Sequence, residues 1–146
     1  EVARQIQKAT GADLFEIVPA TAYSDRYRAV VEQAKKEIKA GFHPELKTHL
    51  AGIAEYDVVF VGSPNWWSTI APPVATFLAS RDLAGKTVVP FMTHGGGGQG
   101  HCVRDIQQSC PGAVVLEGLS IYGDEAGGAQ KEVEDLVFRI QKKMTR

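Results

Sequence analysis

The sequence is poor in cysteine. Cys102 and Cys110 are the only two among 146 residues, and their spacing matches no metal-binding or redox motif, so no disulfide framework stabilises the chain. They read as reduced thiols, which makes a cytoplasmic protein the expectation. The chain also lacks an excess of either charge: 16 Lys and Arg stand against 17 Asp and Glu, for a formal net charge of −1. A basic nucleic-acid footprint is therefore missing. No apolar run approaches the roughly 20 residues needed to span a bilayer. Neither nucleic acid nor membrane is expected as a partner. No repeat, linker or low-complexity segment divides the chain, and residues 1–146 read as a single domain. What remains is an ordinary globular mixture, 44% apolar and 23% charged, enough to build a core.

Apolar spacing predicts alternating elements. Residues 1–10 place Val2 and Ile6 four apart and stop at Gly11, a helix C-cap signal. Asp13–Val18 alternates polar and apolar before Pro19 and predicts a short strand. Asp25–Ala40 carries Tyr27, Val30, Val31, Ala34 and Ile38 at helical spacing and ends at Gly41. His43–Leu46 reads as a loop, and Leu50–Tyr56 as a transitional segment or short helix. Asp57–Gly62, Thr87–Met92 and Val114–Tyr122 are continuous apolar runs that predict strands covered on both faces. Pro90 removes one ladder donor from the second of these runs. Helical stretches fall at 73–80 and 100–109. A final amphipathic helix carries Val133, Leu136, Val137, Ile140 and Met144. This order means crossover connections and an α/β three-layer fold around a parallel sheet. Ligands in such sheets bind beyond the carboxyl ends of the strands.

Two loops at those ends stand out. Ser63-Pro64-Asn65-Trp66-Trp67-Ser68 holds both tryptophans of the chain. Adjacent residues on an extended backbone point to opposite faces, so one indole can plug the core while the other covers a helix. Alternatively, an exposed indole stacks on a planar ligand. Thr93-His94-Gly95-Gly96-Gly97-Gly98-Gln99-Gly100 is the second loop. Its glycines each cost about 0.5–1 kcal/mol in chain entropy inside regular structure. It is either a plain flexible loop or a place where bare N–H groups approach a ligand near a helix N-terminus.

Three other patterns carry little. Gly95-x-Gly97-x-x-Gly100 matches a dinucleotide fingerprint only because glycine runs match it automatically. Gly85-Lys86-Thr87 precedes a strand and reads as a turn. His94, His101, Cys102 and Cys110 have no zinc spacing, and no metal is expected. No Gly-x-Ser-x-Gly elbow surrounds Ser63, and no paired carboxylates occupy these loops, so no catalytic residue is assigned.

Tyr56-Asp57-Val58-Val59-Phe60-Val61-Gly62-Ser63-Pro64-Asn65-Trp66-Trp67 resembles the third strand and flavin loop of flavodoxin-like proteins, in the subgroup whose loop reads Pro-x-Trp-Trp. Pro90-Phe91-Met92-Thr93-His94-Gly95-Gly96 resembles the same family's second flavin loop. Val103–Ile106, Cys110–Ala113 and Gly11–Ile17 resemble its next helix, the following turn and its second strand. The resemblance implies a parallel sheet of order 2-1-3-4-5 and a noncovalent FMN used for electron transfer with redox partner proteins. Carried over by position, Pro64, Asn65, Trp66, Trp67 and Ser68 form one wall against the ring. Thr93, His94, Gly95, Gly96 and Gly97 form the other through backbone hydrogen bonds.

The family's first strand and its Ser/Thr-rich, Gly-Asn-Thr-like phosphate loop have no counterpart in the 146 residues, which open at Glu1. An N-terminally truncated chain is the expectation, with FMN bound weakly or not at all. Losing three charge-assisted hydrogen bonds at roughly 1.5–3 kcal/mol each weakens binding about 10⁴–10⁶-fold. The near-neutral charge also differs from the acidic flavin edge of electron-carrying flavodoxins, although Asp124 and Glu125 follow the third run. The resemblance leaves two other functions open. One is a flavin-dependent NAD(P)H or quinone reductase, and the other is a flavin-free remnant or interaction domain.

Overall fold

Val2 and Ile6 fulfil their spacing: both are buried on helix α1 (Val2–Thr10). Gly11 closes that helix with φ 72° and donates its N–H to Gln7 O at 2.7 Å. In this computed structural model, which describes residues 2–47 and 52–144, helix α2 (Tyr27–Ala40) follows. Next come strands β1 (Val58–Trp66) and β2 (Thr69–Ile70), helix α3 (Pro72–Ala79) and strand β3 (Thr87–His94). Helix α4 (Cys102–Ser109), strands β4 (Val114–Val115) and β5 (Leu119–Tyr122) and helix α5 (Gln130–Met144) complete the chain. Short 3-10 turns occupy Ile53–Glu55 and Gly123–Gly128. Leu50, and the side chains of Asp124 and Met144, lie outside the described residues.

β1, β3 and the β4–β5 run lie side by side and parallel, while β2 folds back antiparallel on the end of β1. Helices cover both faces, as the unbroken apolar runs require. Val2, Ile6, Val133 and Val137 of α1 and α5 pack against Phe60, Phe91 and Ile121. Val74, Phe77 and Leu78 of α3, with Cys102 and Ile106 of α4, pack on Val61, Val88 and Met92. The expected three-layer α/β arrangement is present. Gly62 stands opposite Phe91 in register, and a Cβ there would fall inside the Phe91 ring's contact distance. Glycine at this position lets the benzyl group lie across the sheet.

Three expectations need correction. The run Val114–Tyr122 is two strands, not one. Val88 pairs with Val115 and Phe91 with Leu119, so the Val114–Tyr122 run has one residue more than β3 between those pairs. The extra residue forms a bulge opposite Pro90, whose missing N–H faces that side of the ladder. Gly118 fits there because a Cβ would meet the Pro90 carbonyl carbon at 2.8 Å.

Residues 13–18 do not form a strand. Phe15 and Ile17 pack against the core, but among the described residues the only bridge nearby is Pro19 with Leu46. Alternation supplies sidedness, whereas a strand also needs a partner ladder, and none among the described residues lies beside this segment. A cavity of about 1010 Å³ separates it from the outer edge of β1. Thr87 N donates to Asp57 O, so alternation turns Val59 and Val61 toward β3 and the backbone of Val58, Phe60 and Gly62 toward the cavity.

Finally, Tyr27 belongs to the expected apolar stripe of α2 yet is 83% exposed, and only Ala34 of that helix is fully buried.

Candidate functional site

The parallel register aligns three strand ends. Pro64 lies beside Thr93, Thr93 beside Ile121, and His94 beside Tyr122. The two loops picked out in the sequence are therefore neighbours. They are also bonded: Asn65 Nδ2 donates to Gly98 O at 2.9 Å, and His101 N donates to Ser68 O at 2.6 Å. Gly100 has φ 53°, and a Cβ there would meet Ser68 Cα at 2.9 Å. The close approach requires glycine.

The Trp loop is a two-residue hairpin. Trp66 pairs with Thr69, and Trp67 and Ser68 have φ of 55° and 66°, the signature of a type I′ turn. Neither residue is the glycine or asparagine that tolerates this region, and each costs roughly 1–2 kcal/mol there. Three neighbours hold the strained turn. Trp67 Nε1 donates to Val31 O of α2 at 2.9 Å, and Lys35 Nζ lies 5.3 Å from the indole centroid. Thr69 Oγ1 donates to the Asp105 carboxylate on α4. The hairpin is thus braced by α2, α4 and the glycine loop at once.

The two indoles diverge. Trp66 is half-buried against the core, with Tyr23 meeting it edge-on at 5.2 Å. Tyr23 is fixed in turn by donating to Glu37 Oε1 at 2.6 Å. Burial, and then the Glu37 carboxylate, push its phenol well above the ordinary range. Trp67 turns away onto α2. Of the ten anticipated residues, Pro64, Trp66 and Thr93 line the cavity mouth. Asn65, Ser68 and Gly97 lie where the loops touch, since a Cβ on Gly97 would come within 3.5 Å of Asn65 Nδ2. His94 meets Tyr122 edge-on at 5.7 Å and accepts the Gly96 N–H on Nδ1 at 3.0 Å. Gly95 and Gly96 face open space, with nothing within 4 Å of a built Cβ.

At the N-terminus of α4 two donors are committed to the loops themselves. His101 N and Cys102 N already donate to Ser68 O and Gln99 O. Tyr23, Val31 and Asp105 were not anticipated as supports. Tyr23 sits in an irregular segment whose residues carry no periodic signal, and a main-chain acceptor such as Val31 O leaves no trace in side-chain pattern. One polar atom is left over: Asn65 Oδ1 is buried without a partner. Such an orphan acceptor costs about 1–3 kcal/mol and marks the loop junction as a place where a donor fits.

A layered α/β sheet with two loops joined at its strand ends, beside a cavity that Pro64, Trp66 and Thr93 help to line, defines a class of ligand-binding α/β proteins. Within it, the flavodoxin family model matches residues 1–136, and the chain belongs to the flavodoxin family. Two solved structures named as flavoproteins are similar. The one from Bacteroides uniformis is 27% identical, with 93% of this chain and 87% of that one covered and a TM-score of 0.81. The one from Bacteroides eggerthii is 28% identical, covering 90% and 87% with a TM-score of 0.74. A flavoprotein from Lactobacillus acidophilus, solved in complex with FMN, shares the fold at 21% identity, with 87% of each chain covered and a TM-score of 0.69. No curated protein matches the chain. Among the described residues, no helix is long and apolar enough to cross a membrane.

Proposed function

We propose that this chain binds the isoalloxazine ring of FMN at the strand-end crevice and passes electrons between redox partner proteins. The observation that carries the reading is the register pair Pro64 and Thr93 with the Asn65–Gly98 bond above it. Together they set an aromatic and proline wall against open glycine backbone. Membership of the flavodoxin family and the FMN held by the Lactobacillus acidophilus protein of the same fold support the choice of ligand.

The residues fit such a ring. Gly95 and Gly96 leave their main chain approachable, and the orphan Asn65 Oδ1 supplies an acceptor. Pro64 and Trp66 cover flat apolar surface, and the backbone of Thr93, His94, Gly95, Gly96 and Gly97 meets the polar edge. Trp67 and Ser68 act indirectly by holding the hairpin in its strained turn. When bound, FMN supplies one- and two-electron chemistry, and the protein contributes placement, exclusion of water and hydrogen bonds that tune it.

The contacts proposed for these 146 residues are to the ring, and no Gly-Asn-Thr stretch among them adds a phosphate cradle. Fluorescence titration with FMN is expected to show saturable quenching with a Kd above about 1 μM. A chain that never quenches FMN emission sinks the reading, and a submicromolar Kd sinks the ring-only account. NADPH is expected to remain unoxidised when added to the flavin-loaded protein without a reductase. Direct oxidation would make the protein an NAD(P)H-using enzyme instead of a carrier.

A further inference from the structure

We infer that His94 is a positioning residue whose protonation rewires the glycine loop, so that ligand binding at this site is coupled to a proton. The inference rests on the FMN reading above and names what regulates that site.

Gly96 N–H donates to His94 Nδ1 at 3.0 Å. A ring nitrogen that accepts carries no proton, so the imidazole in this arrangement is neutral, with its hydrogen on Nε2. The ring's place is set by the neighbouring strand: His94 and Tyr122 are register partners, their rings 5.7 Å apart at 79°. Protonation adds a hydrogen to Nδ1, and two donors then face each other. The bond must open. The loop can turn there, because Gly96 has φ 130° and no heavy atom stands within 4 Å of a Cβ on Gly95 or Gly96.

Before protonation the rim presents one imidazole donor, Nε2–H. Afterwards it presents Nδ1–H, Nε2–H and the released Gly96 N–H, together with a full positive charge. That set favours an electron-rich ring over an electron-poor one. Reduced FMN therefore gains more affinity from a fall in pH than oxidised FMN does, and by linkage reduced ligand draws a proton onto His94. Among the described side chains, the titratable groups on the elements packed against His94 from β5 and the turn after it are Tyr122 and the exposed Glu125, with Asp124 beside Glu125 in sequence. The β1 hairpin, Pro64–Ser68, contributes no charge, and His101 sits at the far end of the loop.

The test uses the whole chain and two variants. His94→Asn keeps a carboxamide oxygen where Nδ1 stands but cannot titrate, and His94→Ala loses both properties. In ¹⁵N NMR of the ligand-free protein, the Gly96 amide is expected to shift together with the His94 ring nitrogens as acid is added. That movement is expected to disappear in His94→Asn. With oxidised and dithionite-reduced FMN, the wild-type affinity ratio is expected to move toward the reduced form by about fivefold or more at the acid end. His94→Asn should keep a constant ratio across the same titration, and His94→Ala should bind both forms more weakly than His94→Asn does. A Gly96 amide that ignores His94, or a His94→Asn variant with the wild-type pH profile, overturns the inference. Failure of wild type to bind FMN at any pH overturns the functional reading, whereas a Gly96 amide that still follows His94 supports the loop coupling on its own.

Discussion

Asn65 reaches across 33 positions of sequence to hold Gly98, its carboxamide N–H on the glycine carbonyl at 2.9 Å. Because the amide nitrogen is committed, the oxygen is left buried and unpaired. Asn65→Ala removes a bond worth about 1 kcal/mol but also an orphan acceptor of similar cost. Urea denaturation is expected to show a loss below about 1 kcal/mol. FMN affinity is expected to fall roughly tenfold because the loop is no longer held. A large stability loss with unchanged affinity would assign Asn65 to the scaffold alone.

Ser68 occupies left-handed backbone at φ 66° without being glycine. Ser68→Gly relieves that strain and keeps the main-chain bond to His101, so thermal melting is expected to show a gain of about 1 kcal/mol. Gly100→Ala is expected to do the opposite, since its Cβ would meet Ser68 at 2.9 Å.

Gly62 and Phe91 form a size-matched pair across β1 and β3. Gly62→Ala is expected to cost about 1–3 kcal/mol through overpacking. Adding Phe91→Leu should return part of that loss. A double-mutant cycle reads the coupling, and strict additivity would show that the ring does not press on that glycine.

The outer edge of β1 predicts an alternation in hydrogen exchange. Phe60 and Gly62 amides point toward the cavity, whereas Val59 and Val61 amides are bonded to β3. The first pair is expected to exchange about tenfold faster or more. Equal protection of all four would mean that something in solution pairs with that edge.

Cys102 is fully buried, and burial pushes its thiol up to about 11, with Asp105 adding to the effect. It should stay unmodified by a thiol reagent at about pH 8 until the chain unfolds. The unfolded thiol ionises first, at an ordinary pKa of about 8.5. Above that pH the unfolded state binds fewer protons, so stability falls as pH rises toward 11. Below the unfolded value this thiol contributes no pH dependence. A rise in stability between those limits would reverse the assigned direction.

Local signals carried most of the architecture. Helix stops at Gly11 and Gly41 and the apolar runs of β1 and β3 needed only neighbouring residues to be read. The failures were non-local. The break between β4 and β5 depends on Pro90 across the sheet, and residues 13–18 have a strand's pattern without a strand's neighbour. At the site, parallel register was enough to bring the two loops together. The divergence of the indoles, one to the core and one to a helix, was among the readings the sequence offered, but which helix receives Trp67 was not legible, because it follows from positive φ at Trp67 and Ser68, which no residue type there announces. Tyr23 and Val31 reach the hairpin from α2 and the irregular segment before it, with no periodicity to flag them.

The single extra residue opposite Pro90 has an effect on parity. Val115 packs with the α3–α4 layer, whereas Ile121, also odd-numbered, packs with the α1–α5 layer. In an uninterrupted strand, residues six apart share a side. The bulge inverts the odd–even code midway, so deleting one residue from 116–118 would leave a regular ladder with Ile121 still on its own side, whereas flattening the bulge with every residue retained would send Ile121 into the wrong half of the protein and Tyr122 off the imidazole it now meets.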